Sequence, residues 1–553
     1  MKRVLIGLAV LCVGAGVFVA SDPTYVKATS ERFETVEPSL TSVEERGAAY
    51  FAFGDFGALD SDTLRVSASP WKLMVAGIAL REVEGDLSRV GEVDVAAVFR
   101  RFGFHSPQSL GNWPEGLPMP DMSVPLGQNV GLAGRAVPPL QVTVANLGCA
   151  SCHASVMYDA DGMPDTTRVW LGMPNGSINL EAYLVALFEG FRDHGDDPDL
   201  MMSAVEALFP ETSWQEKMTL RRFILPAVMG EVVERDAAYG RLLPYRGSLP
   251  GATNGLDSLK NRLGQIPETG LVEESVFNSV PDLGGRLWRR SLLNTGTYTV
   301  PGIDHRAETV ASDIDAEHRR ELASIVAYFT VPSMGVTNEV AEAHIGEAEA
   351  IAAWMMDYAP QPFPGQIDGG LLERGREVYV EGCASCHGTY DASVEAPALV
   401  SFPNWEGDVG TDRRRIELTG EELASAVNAS SYGGYIDARA AEAYTAPPLT
   451  GIWASAPYLH NGSVPTLWHL MRPEARPERF WVGGHALDLE RVGLAGVDDG
   501  AGGWGPLPGY EPWAISEEIN TSAFGLGAGG HAVGFEGLSE ADKAALLEYL
   551  KLL

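Results

Sequence analysis

The sequence contains two identical pentads, Cys149-Ala150-Ser151-Cys152-His153 and Cys383-Ala384-Ser385-Cys386-His387. The chain has five cysteines, and only Cys12 lies outside the pentads. A Cys-x-x-Cys-His pattern is typical of c-type haem attachment. The two thiols, one helical turn apart, add to the two vinyl groups of a haem, and the next residue places an imidazole under the iron. The pentads therefore predict two covalently bound haem c groups.

In this interpretation Cys149, Cys152, Cys383 and Cys386 attach the haems, and His153 and His387 are the proximal iron ligands. A disulfide or redox-active Cys-x-x-Cys has no use for the histidine that follows each pair. A zinc site formed by two such pairs has them about 15 to 20 residues apart, whereas Cys149 and Cys383 lie 234 positions apart. The same separation disfavours an iron–sulfur cluster, which is held by four thiolates.

The amino-terminal residues indicate export. Met1-Lys2-Arg3 precedes an apolar run from Val4 to Ala20, which is typical of a secretory signal peptide over residues 1–20. Val19-Ala20-Ser21 supplies small residues for cleavage nearby. The run spans about 26 Å as a helix at about 1.5 Å per residue, so an uncleaved membrane anchor is the alternative. We expect a periplasmic or secreted protein.

Composition limits the partners and the architecture. With 74 acidic and 40 basic residues, the formal net charge is −34. Such a chain repels the phosphate backbone, so nucleic acid is not expected as a partner. The 62 glycines and 35 prolines predict long loops around the regular structure.

We predict a mainly α fold with two cytochrome c-type haem domains, long loops and an N-terminal extension. Helical periodicity or capping patterns mark Asn179–Arg192, Ala316–Phe329, Glu339–Tyr358, Leu371–Val380 and a last helix capped by Ser539. The run Val142 to Val144 before the first pentad is rich in β-branched residues and replaces the helix that usually precedes such a pentad. We therefore expect the first domain to carry additions to the basic cytochrome c architecture. The predicted segments are a signal peptide at 1–20, an extension at 21–140, a first haem domain at 141–358, a linker at 359–368 and a second haem domain at 369–553.

Several stretches resemble the bacterial di-haem rubber oxygenases, within the wider superfamily of di-haem cytochrome c peroxidases and MauG enzymes. In the second domain they are Cys383–Tyr390, Gly410–Asp412, Pro447–Ser463 and Arg476–Gly484, and in the first domain Cys149–His153, Trp170–Asn175 and Val280–Trp288. The resemblance implies that one haem, with an open or weakly held distal position, reacts with dioxygen or peroxide. The other haem is six-coordinate and relays electrons. In the rubber oxygenases the N-terminal haem is the reactive one, which corresponds here to the haem of His153.

A cytochrome c usually takes its sixth iron ligand from a methionine or histidine C-terminal to the pentad. For the second haem the candidates after His387 are Met471, His460, His469, His485 and His531. In the peroxidases a ligand methionine occupies a slot that is Leu459 here, and a leucine cannot bind iron. The resemblance places the ligand at His531, in a glycine-rich loop just before the last helix, where glycines allow the backbone to approach a flat cofactor. His460 is the alternative.

The resemblance also suggests residues that carry electrons and protons. Trp288 matches the tryptophan that lies between the two haems in this superfamily, and core packing is its alternative role. His305 and Glu308 are candidates for acid–base work on the distal side of the first haem, with a surface-loop position as the alternative.

These features lead to the hypothesis of an exported di-haem c-type redox enzyme, oxygenase-like or peroxidase-like. Its expected partners are dioxygen or peroxide, an apolar organic substrate and a redox partner protein. The alternative is a non-catalytic di-haem electron-transfer cytochrome. An electron-transfer cytochrome needs only about 100 residues around each haem. This chain has more than twice that number for each pentad, which favours the enzyme.

Overall fold

The computed structural model describes residues 25–26, 30–55, 59, 69–135, 140–333, 338–393, 396–430 and 433–553. The predicted signal peptide, residues 1–20, lies outside this set. The α-helices of the described part of the chain are Glu31–Val36, Val43–Phe53, Trp71–Glu82, Leu87–Val90, Val95–Arg101, Leu180–His194, Pro198–Leu208, Trp214–Thr219, Leu225–Tyr239, Gly255–Arg262, Ala316–Ser333, Asn338–Ala343, Ile345–Trp354, Leu372–Gly382, Ala384–His387, Arg414–Leu418, Glu421–Ala429, Leu467–Leu470 and Glu540–Leu550. Within the described ranges, none of these helices combines the length and apolarity needed to cross a membrane.

Strands are numerous and mostly short. Those of four or more residues are Gln128–Arg135, Leu140–Leu147, Ala154–Tyr158, Pro164–Leu171, Leu399–Phe402, Arg479–Val482 and Glu517–Asn520. The others have two or three residues: Tyr25–Val26, Ser69–Pro70, Ser109–Gly111, Ser248–Leu249, Ala252–Thr253, Asn278–Ser279, Ser291–Leu292, Tyr298–Thr299, Thr309–Val310, Thr389–Tyr390, Glu406–Gly407, Asp437–Ala438, Tyr444–Thr445, Leu487–Asp488, Gly493–Leu494, Val497–Asp498 and Gly503–Gly505.

The prediction of a mainly α fold was wrong. Helix accounts for 38% and strand for 16% of the structure, which is a mixed α/β composition. The physical reason is that many strands are two-residue pairings between loops, too short to show the alternation of apolar and polar residues by which strands are recognised. The β-branched run before the first pentad is the exception, since it lies in the long strand Leu140–Leu147.

The predicted helices are confirmed, with shifted ends. Asn179 caps the helix Leu180–His194 by accepting a hydrogen bond from the Ala182 N–H. The pattern over Glu339–Tyr358 corresponds to two helices, Asn338–Ala343 and Ile345–Trp354, with a break at His344. The last helix starts as expected, because the Ser539 side chain accepts a hydrogen bond from the Asp542 N–H.

The helix before the second pentad, Leu372–Gly382, packs closely against the last helix, Glu540–Leu550. A Cβ added at Gly375 would lie 2.1 Å from the carbonyl oxygen of Ala545, so the helix backbones approach without a side chain between them. This is the pairing of first and last helix that the sequence predicts for a cytochrome c domain.

The hydrophobic cores cross the predicted domain boundary. Ala150 and Ala154, around the first pentad, belong to the same buried cluster as Val427 and Ile436. Tyr158 belongs to a second cluster together with residues of the last helix. The segments that carry the two pentads therefore share hydrophobic cores.

The predicted linker, 359–368, has neither helix nor strand, yet it is held on both sides. The indole N–H of Trp170 donates to the Ala359 carbonyl at 2.9 Å, and that of Trp453 donates to the Gln361 carbonyl at 3.0 Å. Gln361 is itself buried and donates to the Tyr158 carbonyl. This segment therefore joins the two parts by tight packing.

Candidate haem sites

The first pentad lies between two strands. The strand Leu140–Leu147 ends at Gly148, whose N–H donates to the Gly127 carbonyl, and the chain then makes one 3₁₀ turn over Cys149–Ser151. The His153 N–H donates to the Cys149 carbonyl at 3.0 Å, which closes the turn. Two thiols and an imidazole are thus presented by one compact turn, as haem attachment requires.

A backbone carbonyl orients the ring of His153. Its Nδ1 lies 3.1 Å from the oxygen of Pro281. When Nδ1–H donates to that carbonyl, the lone pair is on Nε2, which is the tautomer a metal ligand needs. Burial lowers the pKa of His153 to about 4, so the imidazole is neutral near pH 7.

The second pentad repeats this arrangement on a helix. The helix Leu372–Gly382 leads into the helical turn Ala384–His387. The Nδ1 of His387 lies 2.7 Å from the oxygen of Pro447. Burial, reinforced by the nearby His531, lowers the pKa of His387 to about 4. Both predicted proximal histidines are therefore neutral and held by a proline carbonyl.

None of the four pentad cysteines forms a disulfide. Burial raises the pKa of Cys149 and Cys383 to about 12 and that of Cys152 to about 11, so these thiols are protonated near neutral pH. Each pentad thus holds two thiols, which is what attachment through two thioether bonds needs.

His531 faces His387. The centroids of the two imidazole rings lie 6.0 Å apart, with 43° between the ring planes. Two bonds of about 2 Å from imidazole nitrogen to a first-row metal, plus about 1 Å from each nitrogen to its ring centre, add to about 6 Å. The two rings are therefore spaced as two axial ligands of one metal ion would be.

The loop around His531 is shaped for this position. Its Nδ1 is buried and has no hydrogen-bond partner in the described part of the chain. The His531 N–H donates to the Val409 carbonyl, and the residue has a φ of +50°, in the left-handed region. A Cβ at Gly530 would lie 2.2 Å from the backbone of Gly410, so only glycine allows this approach. An unpaired buried nitrogen opposite His387 fits haem ligation.

The other four candidates have different surroundings. His460 stacks on Tyr444 with ring centroids 4.0 Å apart, and Met471 is in the core. The Nδ1 of His469 lies 2.8 Å from the Thr466 hydroxyl, and that of His485 lies 3.4 Å from the Gly483 nitrogen. Among the described residues, His531 is the only one of the five in ring contact with His387.

Trp288 lies on a segment that connects the two sites. It ends the 3₁₀ turn Arg286–Trp288 and is half-buried. The segment starts at Pro281, the partner of His153, and a Cβ at Gly285 would lie 2.3 Å from Pro448, next to the partner of His387. The backbone that carries Trp288 therefore spans the distance between the two proximal histidines.

This segment holds a partly buried carboxyl group that sequence reasoning missed. Asp282 accepts hydrogen bonds from the Tyr358 hydroxyl at 2.9 Å and from the Gly284 N–H at 2.7 Å. Burial raises the pKa of Asp282 to about 7, against the lowering effect of those two donors. An aspartate in a turn carries no signal of burial in a single sequence, and its proximity to Gly451 depends on the tertiary fold.

His305 and Glu308 lie in the loop between the strands Tyr298–Thr299 and Thr309–Val310. The Nε2 of His305 is 3.4 Å from Glu406, a buried carboxylate that also pairs with Arg306 and Arg439. Burial lowers the pKa of His305. Glu308 is exposed. In the described part of the chain, neither residue has a hydrogen bond or ion pair with Cys149–His153.

No imidazole among the described residues is in ring contact with His153. Three other histidines of the first half have these neighbours. His318 is 2.7 Å from the Leu287 carbonyl, and His344 is 2.6 Å from Glu347. The buried His105 has its ring centroid 5.4 Å from that of Trp513 and lies next to Ala154 and Asn175, close to the first pentad. His105 was not singled out in the sequence, because a lone histidine outside any motif gives no signal.

Comparison with known proteins supports the haem interpretation of the second half. Residues 443–482 match the family model described as "RoxA-like, cytochrome c-like". The matched segment includes Pro447, whose carbonyl orients His387. The match supports the resemblance to rubber oxygenases, and a cytochrome c-like domain implies covalently bound haem c and indicates a haem-dependent redox role.

Two relatives come from Sinorhizobium fredii (strain NBRC 101917 / NGR234). The chain is 31% identical to uncharacterized protein y4iM over 173 residues, covering 26% of this chain and 38% of the relative. It is 28% identical to uncharacterized protein y4iJ over 251 residues, covering 35% of this chain and 40% of the relative. The alignments thus span about two-fifths of the length of these relatives.

Proposed function

We propose that this protein is an exported di-haem c-type redox enzyme. His153 holds the reactive haem, and His387 with His531 holds a six-coordinate haem that relays electrons. When bound, the two haems supply activation of dioxygen or peroxide at the first site and electron transfer from the second.

The observation that carries the proposal is the difference between the two sites. His387 has an opposing imidazole at 6.0 Å between ring centroids, whereas His153 has none among the described residues. A metal ligated on both faces has no vacant position for a small oxidant, so the site of His153 is assigned the reaction. His305, His318 and His344 are engaged by other groups, which supports this assignment.

Residues of the connecting segment supply proton and electron functions. Asp282, with a pKa near 7 and a hydrogen bond from Tyr358, can hold or release a proton one residue from the partner of His153. Trp288, at the far end of the segment, is proposed to carry electrons between the sites. Outside this segment, His305, whose pKa is lowered by burial, and Glu308 stay proposed acid–base groups, although neither has a hydrogen bond or ion pair with the first pentad in the described part of the chain.

The proposed substrate is an apolar organic compound, by analogy with the resemblance to rubber oxygenases. The charge of −34 favours a basic redox partner protein over nucleic acid. Export is supported by the charged start and apolar run of residues 1–20 and by the need to attach haem c outside the cytoplasm.

Two assays on the holoprotein test the function. Oxygen-dependent formation of carbonyl fragments from polyisoprene supports the oxygenase, and peroxide turnover with a reduced donor supports the peroxidase. His153→Ala should abolish either activity, while His469→Ala, a matched histidine bonded to Thr466, should retain it. A protein inert in both assays, with no spectral response to peroxide or cyanide, would be an electron-transfer cytochrome and would contradict the proposal.

A further inference from the structure

Three arginines lie between the two candidate haem sites. Arg286 and Arg289 flank Trp288 on the connecting segment, and Arg415 lies on the helix Arg414–Leu418. Arg415 is only 3% exposed, and the other two are half-buried. Burial lowers the pKa of Arg286 to about 9 and that of Arg289 to about 10, so both are still cationic near pH 7. We call these three residues the arginine cluster.

The arginine cluster has no carboxylate partner among the described residues. In that part of the chain none of its members forms an ion pair, and no carboxylate raises the pKa of Arg286 or Arg289. Asp257 raises the pKa of Arg415 less than burial lowers it, and its carboxylate already accepts hydrogen bonds from Asn254 and Ser275. Charges that are taken out of water are normally paired. Three such cations in one region therefore indicate that an anion belongs there.

The unpaired atoms of Arg286 form a fork. Its Nη1 donates to the Arg289 carbonyl at 3.1 Å, whereas its Nε and Nη2 are buried and have no hydrogen-bond partner in the described chain. Nε–H and Nη2–H lie side by side on one edge of the guanidinium, the arrangement that binds both oxygens of one carboxylate. In Arg415 the Nε and Nη1 atoms are likewise buried without a described partner. The cluster thus offers unused donors that suit carboxylates.

The cluster is assembled around two neighbouring residues, Tyr444 and Thr445. The Arg289 guanidinium donates to the Thr445 hydroxyl at 2.7 Å. Tyr444 stacks on His460, and Arg415 is close enough for its charge to act on the pKa of both rings. Because the Arg289 carbonyl also accepts from the Arg286 fork residue, all three arginines lie in one region.

This region lies between the two proximal histidines. Arg286 directly follows Gly285, which packs on Pro448, next to the carbonyl that orients His387. The segment itself starts at the carbonyl partner of His153. A haem that is attached through its vinyl groups carries its two propionates on the opposite edge of the ring, away from the pentad. These propionates are the only carboxylates that haem attachment adds to either site.

We propose that the arginine cluster binds haem propionates, with Arg286 donating through Nε and Nη2 and Arg415 through Nε and Nη1. The inference rests on the proposed di-haem function and adds the residues that neutralise the haem carboxylates. Arg289 is a positioning residue, because its guanidinium is bonded to Thr445 while its carbonyl holds Nη1 of Arg286. A fixed cation beside a propionate destabilises ferric iron relative to ferrous iron, which raises the midpoint potential of that haem.

The test is a potentiometric titration of the holoprotein together with resonance Raman spectra of the propionate bending bands. Arg286→Met should shift a propionate band and lower the midpoint potential of the haem it contacts. The expected change is at least tenfold in the reduction equilibrium, about 59 mV for a one-electron couple. Arg286→Lys keeps the charge without the fork, so the band should shift while most of the potential is kept. Optical and electron paramagnetic resonance signals show whether the haem at His387 or the haem at His153 responds.

A second variant and a matched control complete the test. Arg415→Met should also lower a midpoint potential and shift a propionate band. The control is Arg472→Gln, since Arg472 is 9% exposed and already pairs with the Glu540 carboxylate at 2.6 Å. Its replacement should leave both midpoint potentials and the propionate bands unchanged.

The outcomes separate this inference from the proposed function. A holoprotein with two haem masses, whose potentials and propionate bands ignore both Arg286→Met and Arg415→Met, would overturn the inference alone. A response to these variants in a protein that is inert in the turnover assays would support it and contradict only the enzymatic function. If Arg286→Met takes up no haem, an unchanged propionate band in Arg286→Lys overturns the assignment of the fork. A parent chain without haem would overturn the inference together with the di-haem proposal.

Discussion

At the scale of single residues, haem attachment at the two pentads could be predicted from the sequence alone, because the covalent chemistry fixes both the residue types and their spacing. His531 could be inferred only with the resemblance. The sequence shows a histidine after several glycines, but it does not show that Gly530 packs on Gly410 and turns the imidazole toward His387. Asp282 was missed because its burial depends on contacts with Tyr358 and Gly451, which are distant in sequence.

Replacing His531 tests the assignment of the sixth ligand. We expect His531→Ala to remove the low-spin bis-histidine signal of the haem at His387 from the electron paramagnetic resonance spectrum, because the opposing ring is lost. The signal of the haem at His153 should be nearly unchanged. His460→Ala is the control and should keep the low-spin signal, since His460 stacks on Tyr444. An unchanged spectrum in His531→Ala would transfer the ligand role to another residue.

The carboxyl group of Asp282 predicts a pH dependence of stability. Its pKa is about 7 in the folded protein and 3.8 as the reference value, so the folded state holds the proton more tightly. This contribution to stability is fully present below about pH 4 and is lost as the pH rises through about 7. At about 1.4 kcal/mol per pKa unit, the loss amounts to a few kcal/mol.

The measurement is urea unfolding of the parent and of Asp282→Asn at several pH values. Asparagine cannot ionise, so the variant should lose less stability than the parent between pH 4 and 8. Parallel stability curves for the two proteins would show that Asp282 is not buried in the way described.

At the scale of elements, helices with clear periodicity were predictable and short strands were not. Helix Leu180–His194 has a capping asparagine and an apolar side, both visible in sequence. Pairs such as Thr309–Val310 with Ser401–Phe402 form only because distant loops meet. A glycine inside a helix is harder to interpret from sequence. Gly375 disfavours the helix that contains it, and only the packed structure shows that the glycine is needed for the close approach of the last helix.

Gly375 marks the contact between the helix of the second pentad and the last helix. An added methyl group would lie 2.1 Å from the Ala545 carbonyl oxygen, so Gly375→Ala should force the helices apart. We expect a loss of about 1 to 3 kcal/mol in the free energy of unfolding, measured by urea denaturation.

The control for this substitution is Gly346→Ala, in the exposed first turn of helix Ile345–Trp354, where an added Cβ meets nothing within 4 Å. It should be neutral or stabilising by up to about 1 kcal/mol. Equal stability of Gly375→Ala and the parent would contradict the close packing.

At the scale of the whole molecule, the sequence predicts two haem domains, and the structure shows how the parts of the chain that carry the two pentads are packed together. Segments from both halves share hydrophobic clusters, and the Pro281–Trp288 segment runs between the carbonyl partners of His153 and His387. Such sharing could not be predicted, because it depends on contacts between residues more than 200 positions apart in sequence.

The number of haems is open to direct measurement. Since none of the four pentad cysteines is used in a disulfide and each pair lies in one compact turn before a histidine, the denatured holoprotein should carry two haem masses in mass spectrometry. Cys149→Ala with Cys152→Ala should reduce this to one. A chain with one haem or none, made in a host competent in haem attachment, would contradict the di-haem assignment.

The division of labour between the two sites is tested most directly by cyanide titration of the oxidised holoprotein, followed by optical and electron paramagnetic resonance spectra. The account predicts that cyanide changes the signal of the haem at His153 and leaves the low-spin signal of the haem at His387 intact. His153→Ala should then show no cyanide response. If cyanide instead perturbs the haem attached at Cys383 and Cys386 while the other haem stays unchanged, the assignment of the reactive site is wrong.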